Sequence, residues 1–375
     1  MQLPGPVLIA PDKFKGTLTA PDVAGAIAAG LREERPDVEV RLAPVADGGD
    51  GTVDAALAAG YSRMTVPVSG PTGYPVDTEI AYDGETAVVE LASASGLALL
   101  DPDDLDALGA SSDGTGEALL AALSTGARRI VLGVGGSACT DGGAGLLTVL
   151  GARVLDVNGN PVAPGGGPLA NVGEVDLSGL DPRIAEVEVV LASDVDNPLT
   201  GPHGAARVYG PQKGANPEQV ELLDSALARY AQAVVAAGGL DVADQPGSGA
   251  AGGVGFAALA ALGATMRPGV DVVLDLVDFD RRLDGAGLVI TGEGALDEQT
   301  LHGKAPAGVA ARAIEAGIPV VAVAGRCDLT GERLAEAGID AAYALLDVEP
   351  DPQRCMADPA PLLTRLGRTL AQKHL

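Results

Sequence analysis

Strand-length apolar runs that end in glycine- and charge-rich turns, each leading into a helix, recur along this chain and restrict it to an α/β architecture. The sharpest instance is R-I-V-L-G-V-G-G-S-A-C-T-D-G-G-A-G over residues 129–145. Ile130 to Val134 reads as a buried strand, and Leu146 to Leu150 as a helix. Between them stand Gly135, Gly136, Gly142, Gly143 and Gly145, with Ser137, Thr140 and Asp141. Such a turn can aim backbone N–H groups at an anion, and its glycines allow positive φ and close approach. A tight strand–helix connection would use the same glycines without any ligand.

The same unit occurs at both chain ends. Val7 to Ala10 is strand-like, ends in P-D-K-F-K-G-T, and precedes a helix capped by Thr19 or Asp22. Val38 to Leu42 ends in P-V-A-D-G-G-D-G-T before an alanine-rich helix. Gly287 to Ile290 ends in T-G-E-G-A-L-D-E-Q-T-L-H-G-K-A-P, with further strands at 319–323 and 341–345 and a helical tail from Pro361. The middle differs. Residues 66–92 alternate and predict antiparallel strands, 156–182 predict little regular structure, and 217–237 predict a helix. The expected organisation is a doubly wound domain from residues 1–66 and 286–375, with a second α/β domain of mixed sheet over 67–285 and an active-site cleft between them. Ligands of open parallel sheets gather at the carboxyl ends of the strands.

A length of 375 residues suits two domains, and with 2% aromatic residues and no Trp the core must be mainly Ala, Val and Leu. A net charge of −27 argues against nucleic acid and against anionic membrane surfaces. Whether it reflects salt adaptation is left open. Three scattered Cys and three His offer no CxxC or HExxH pattern. The amino-terminal segment is not a signal peptide, and no run is long enough for a membrane span, so the expected location is cytoplasmic.

No G-x-x-x-x-G-K-[ST], H-R-D, D-F-G or G-x-S-x-G occurs. Gly247-x-Gly249-x-x-Gly252 spells a dinucleotide fingerprint but follows L-D-V-A-D-Q-P instead of a strand, which leaves an NAD-dependent hydroxy-acid dehydrogenase as a minor alternative. What remains is a set of carboxylates and lysines in turns: Asp12, Lys13, Lys15, Asp47, Asp50, Asp141, Asp194, Asp196, Lys213, Glu293, Asp297 and Lys304. Converging carboxylates repel unless a cation joins them, oxygen ligands suit Mg²⁺, and lysines suit phosphate. Together with glycine loops these are the parts of phosphoryl transfer. A non-catalytic two-domain receptor for a small hydroxy-acid is the other reading.

Over nearly its whole length the chain resembles the type-1 glycerate kinase family. The resemblance rests on A-P-D-K-F-K-G-T-L-T-A (10–20), P-V-A-D-G-G-D-G-T (44–52), G-T-G-E (114–117), G-G-S-A-C-T-D-G-G-A-G (135–145), S-D-V-D-N-P-L-T-G-P-H-G-A (193–205), G-P-Q-K-G-A (210–215), P-G-S-G-A-A-G-G-V-G (246–255) and the block at 291–306. It implies a flavodoxin-like domain with an inserted α/β domain, and phosphorylation of D-glycerate by ATP with Mg²⁺. The product implied is 2-phosphoglycerate, with 3-phosphoglycerate not excluded. Lys15, Asp47, Ser137, Asp141, Asp194, Asn197, Lys213, Glu293, Asp297 and Lys304 match the family pattern. Lys13, Asp50, Asp113, Cys139, Asp196 and Tyr209 depart from it. Expected roles are Asp194 and Lys15 in catalysis, and Glu293 and Asp297 at the metal. Asp47, Gly135, Gly136, Ser137, Asp141, Asn197, Lys213, Gly252, Gly253 and Lys304 are expected at substrate or phosphate. A homodimer is left open.

Overall fold

The computed structural model describes residues 5–301 and 303–375. The first four residues of the expected amino-terminal domain, and His302 of the 291–306 block, lie outside them. The strands are β1 (Val7–Pro11), β2 (Val40–Leu42), β3 (Ser62–Ser69), β4 (Pro75–Tyr82), β5 (Thr86–Glu90), β6 (Arg129–Gly133), β7 (Arg153–Asp156), β8 (Val172–Asp176), β9 (Glu188–Ala192), β10 (Thr265–Arg267), β11 (Leu288–Leu296), β12 (Val320–Cys327) and β13 (Ala341–Ala344). Among the described residues no helix is long and apolar enough to cross a membrane.

Two compact units divide the chain. The first comprises the described residues up to Asp47, with Asp54–Gly60 and Val270–Leu375. Its sheet has the order β13-β12-β11-β1-β2, and every neighbouring pair is parallel. A parallel sheet is covered on both faces, so its central strands tend to be apolar, and all five residues of β1 are buried. Alternate residues serve opposite cores. Val7 and Ile9 face Ile27 and Leu363 in one core, while Leu8 and Ala10 join Val273, Phe279 and Val309 in the other. Strand order reverses at β1, which has β2 on one side and β11 on the other. This is the doubly wound sheet expected from the chain ends.

Residues 270–285 were expected in the inserted segment. The helices Gly269–Leu276 and Phe279–Leu283 instead bury Val270, Val273, Leu274, Val277, Phe279 and Leu283 in the first unit's core. Conversely, β3 begins at Ser62, and from Tyr61 the chain belongs to the second unit.

That second unit comprises Gly48–Val53 and Tyr61–Gly269. Its main sheet has the order β10-β9-β6-β5-β4-β3. The pairs from β10 to β5 are parallel, whereas β5/β4 and β4/β3 are antiparallel, giving the mixed sheet expected. One core serves it, in which Tyr230 and Phe256 meet edge to face with centroids 6.2 Å apart. The stretch expected to lack regular structure holds β8, paired antiparallel with β7. The turn D-V-N-G-N supports the pairing, because Asp156 Oδ1 accepts the amides of Asn158 and Asn160 at 2.8 and 2.9 Å.

Candidate active site

In the first unit the carboxyl ends of β1 and β11 carry adjacent carboxylates at the point where strand order reverses. Asp12 directly follows β1. Its amide donates to Gly292 O at 2.7 Å, and its Oδ1 accepts the Lys13 amide at 2.6 Å. The side chain is 7% exposed. Burial pushes its carboxyl up to about 7; Asp47 and Glu293 push the same way, and Lys13 opposes them. Glu293, 8% exposed, lies within β11. Its Oε1 accepts the Thr300 hydroxyl at 2.6 Å, and Lys304 Nζ stands 3.5 Å from Oε2. Burial raises this carboxyl too, against the pull of Thr300 and Lys304.

Asp297 shapes the turn that presents Thr300. Its amide donates to Thr300 Oγ1 at 3.0 Å, and its Oδ1 accepts the Gln299 amide at 2.9 Å. Lys304 caps the helix Ala305–Glu315 by backbone geometry, which leaves its ammonium available to Glu293. Lys15 is exposed in the turn after β1. Among the described residues no three His, Cys, Asp or Glu side chains group closely enough to hold a metal by themselves. The cluster nevertheless fits Mg²⁺ in kind. Its oxygens are hard donors, Asp47 and Glu293 raise Asp12's affinity for positive charge, and this ion commonly takes few protein ligands, completing its shell with phosphate and water.

In the second unit β5, β6 and β9 run parallel as neighbours, so Glu90, the 134–143 loop and Asp194 follow the same end of the sheet. The loop is fastened by Leu97 N–H to Gly136 O at 2.8 Å and Ala138 N–H to Ser95 O at 2.9 Å. Gly136 is exposed with φ +73°, a left-handed conformation that suits glycine. Lys213 is only 1% exposed, and its Nζ donates to Ser137 Oγ at 2.8 Å and to Cys139 O at 2.5 Å. Burial lowers its pKa, opposed by Cys139 and Asp141. Lys213, expected at substrate or phosphate, thus stands behind the loop.

Asp141 is 0% exposed. Oδ2 accepts the Ser112 amide and hydroxyl at 2.9 and 2.7 Å and the Gly145 amide at 3.2 Å, while Oδ1 accepts the Gly143 amide at 3.1 Å. Four donors from the fold surround a carboxylate that had been expected to meet substrate. It anchors the start of the helix Ala144–Val149.

Gly252 and Gly253, expected at substrate or phosphate, are likewise buried. Gly252 O accepts the Gly142 amide at 3.0 Å, and the preceding Ala251 has φ +51°. The helix Pro217–Ala236 and a loop, not a strand, lead into this segment, so the fingerprint spelled by Gly247, Gly249 and Gly252 lacks its structural setting. A Cβ on Gly252, at φ +66°, would lie 2.1 Å from Cys139 O. Backbone cannot yield as a flexible side chain can. Gly252→Ala is therefore expected to lower unfolding stability by about 2–4 kcal/mol in urea titration.

Asp194 is exposed beyond β9, with Oδ1 accepting the Gly269 amide at 3.0 Å. Asn197 braces its own loop: Nδ2 donates to His203 O and Oδ1 accepts the Tyr209 hydroxyl, both at 2.8 Å. Three participants escaped the sequence reading. Glu90 ends β5 and its Oε2 accepts the amides of Gly51 and Val53 at 3.1 and 3.2 Å. Ser112 holds Asp141, and Thr300 holds Glu293. A polar residue closing an apolar run, as in V-V-E, was the signal for Glu90.

Residues 7–375 match the model of the glycerate kinase family. The chain is 42% identical over 368 residues to the glycerate kinase of Bacillus subtilis, covering 97% of this chain and 96% of that protein. It is 45% identical over 344 residues to the glycerate 2-kinase of Escherichia coli, covering 91% and 90%. A crystal structure of a provisionally named glycerate kinase 2 from Salmonella typhimurium LT2 superposes with a TM-score of 0.85 at 42% identity, covering 98% of this chain and 97% of that one.

Proposed function

The chain belongs to the glycerate kinase family, and from that premise we propose that it transfers the γ-phosphoryl group of ATP to the C2 hydroxyl of D-glycerate, giving 2-phosphoglycerate and ADP. The observation that carries the reading is the carboxylate cluster of Asp12, Asp47 and Glu293 beside Lys304, at the reversal of strand order in the first unit.

The glycerate hydroxyl oxygen forms its bond to the γ-phosphorus as the β–γ bridging P–O bond breaks, and ADP leaves with the bridging oxygen. The hydroxyl proton passes to the Asp194 carboxylate. Lys15 and Lys304 neutralise phosphate or the glycerate carboxylate as point charges. Glu293 and Asp297 are the residues that would hold Mg²⁺, with Asp12 adding negative charge beside Glu293, and the ion would offset charge on the phosphate oxygens. The Gly135–Ser137 loop donates to an anionic oxygen, while Asp47 and Asn197 orient substrate. Asp141, Gly252 and Gly253 serve the site by holding that loop in place.

Phosphorus NMR of the protein with D-glycerate, ATP and Mg²⁺ tests activity and position together. ADP and 2-phosphoglycerate resonances are expected. A 3-phosphoglycerate signal would overturn the regiochemistry, and absence of ADP formation would overturn the kinase reading.

A further inference from the structure

We infer that Lys213 is a positioning residue that fixes the Ser137 hydroxyl as a hydrogen-bond donor to the anionic group of one substrate, without touching that substrate itself. The inference deepens the reading of the glycine loop as an anion site and rests on it.

Hydrogen-bond polarity carries the argument. An ammonium has three donors and no acceptor. In the 2.8 Å contact between Lys213 Nζ and Ser137 Oγ, the serine oxygen must therefore accept. Its own proton is left for a group outside this pair. A second ammonium proton goes to Cys139 O at 2.5 Å, so one cation ties two points of the loop. Burial lowers the Lys213 pKa, with Cys139 and Asp141 opposing it, and even the neutral amine carries the two N–H groups that the contacts to Ser137 Oγ and Cys139 O use.

Backbone geometry around Ser137 agrees. Its neighbours Gly136 and Ala138 make the bonds to Leu97 and Ser95, and Ser137 itself pairs with Gly96 as an isolated antiparallel bridge. In that arrangement the Ser137 N–H points away from the 95–97 segment. The residue thus has both an amide and a hydroxyl proton not consumed by that segment, next to the exposed Gly136. A neutral side chain could brace a loop with less desolvation cost than a buried ammonium. The ammonium adds a positive charge directly behind the donors, which strengthens their pull on an anion.

The test is equilibrium binding of D-glycerate and of ATP, measured separately by calorimetry on wild type, Ser137→Ala, Lys213→Met and the double variant. For one of the two ligands the Kd is expected to rise about 10- to 100-fold in each single variant, and no further in the double. The other ligand's Kd should hold, and Ser137→Thr should recover binding. Unchanged binding in Lys213→Met, additive losses in the double, or equal weakening of both ligands by Lys213→Met would each overturn the inference. If Lys213→Met fails to fold, Ser137→Ala and Ser137→Thr decide it, since a loss that threonine does not recover removes the hydroxyl donor. Wild type that binds neither ligand would sink the kinase reading separately. Orthophosphate titrated into the same four proteins then tests the loop, with coupled losses expected and unchanged or additive binding contradicting it.

Discussion

Asp194→Asn is expected to lower kcat by about 10²–10⁴-fold while KM for ATP and D-glycerate stays within a few-fold of wild type. Asparagine retains an Oδ1 that can accept the Gly269 amide, so the 3.0 Å contact survives the change. The residue is exposed, and surface substitutions of this kind usually leave stability within about 0.5 kcal/mol. What disappears is the negative charge that draws the substrate proton. Phosphoryl transfer passes through a loose transition state in which proton removal comes late, which favours the lower part of the range. Steady-state assays with both substrates varied separate the cases. A near-wild-type kcat would remove Asp194 as proton acceptor, and a large rise in KM with unchanged kcat would make it a binding group.

The two lysines at 213 and 304 show where sequence reasoning reaches its end. Both lie in glycine- and proline-bounded turns, and both match the family pattern. Nothing local says that one is 1% exposed behind a loop and the other partly exposed beside Glu293. Tertiary contacts decide that, and they come from distant segments. Gly252 and Gly253 pose the same difficulty: a glycine required by close packing and a glycine required by a ligand are the same letter. The alternation of the middle strands, the apolar run of β1 and the apolar start of β11 at Leu288–Ile290 were legible because burial acts on each strand directly. The return to the first unit is marked by Pro268-Gly269, a break just ahead of the helix Gly269–Leu276, a signal the sequence reading did not use. Asp12 stood among the candidate carboxylates without anything to rank it above Asp47. Its burial ranks it, and burial follows from β1 being the strand at which the sheet order turns.

That burial has a measurable consequence. In metal-free buffer at pH 8, Asp12→Asn is expected to be more stable than wild type, by up to about 4 kcal/mol. The carboxyl's ordinary value is 3.8, and in the folded protein it is pushed up to about 7. Between those values the native state holds a proton that the unfolded chain has released. Stability therefore falls as pH rises through that window, and the full cost is present above about 7. Asparagine carries no charge at any pH and can still accept the Lys13 amide, so it keeps the local bond and removes the cost. The gap between variant and wild type should shrink steadily as pH is lowered toward 4. Mg²⁺ reverses the comparison. A cation that binds the native carboxylate cluster stabilises it by mass action, so millimolar Mg²⁺ should raise the wild-type melting temperature at pH 8 and leave Asp12→Asn nearly unmoved. The variant should also lose most of its kcat/KM, since a site built from repelling carboxylates gives up stability in the empty protein for affinity toward the ion. Chemical denaturation with EDTA and with Mg²⁺ across pH 4–8 measures both halves. Equal stability of the two proteins at pH 8 without metal would mean that the Asp12 charge is already compensated within the fold, and its place in a metal-binding cluster would lose its physical basis.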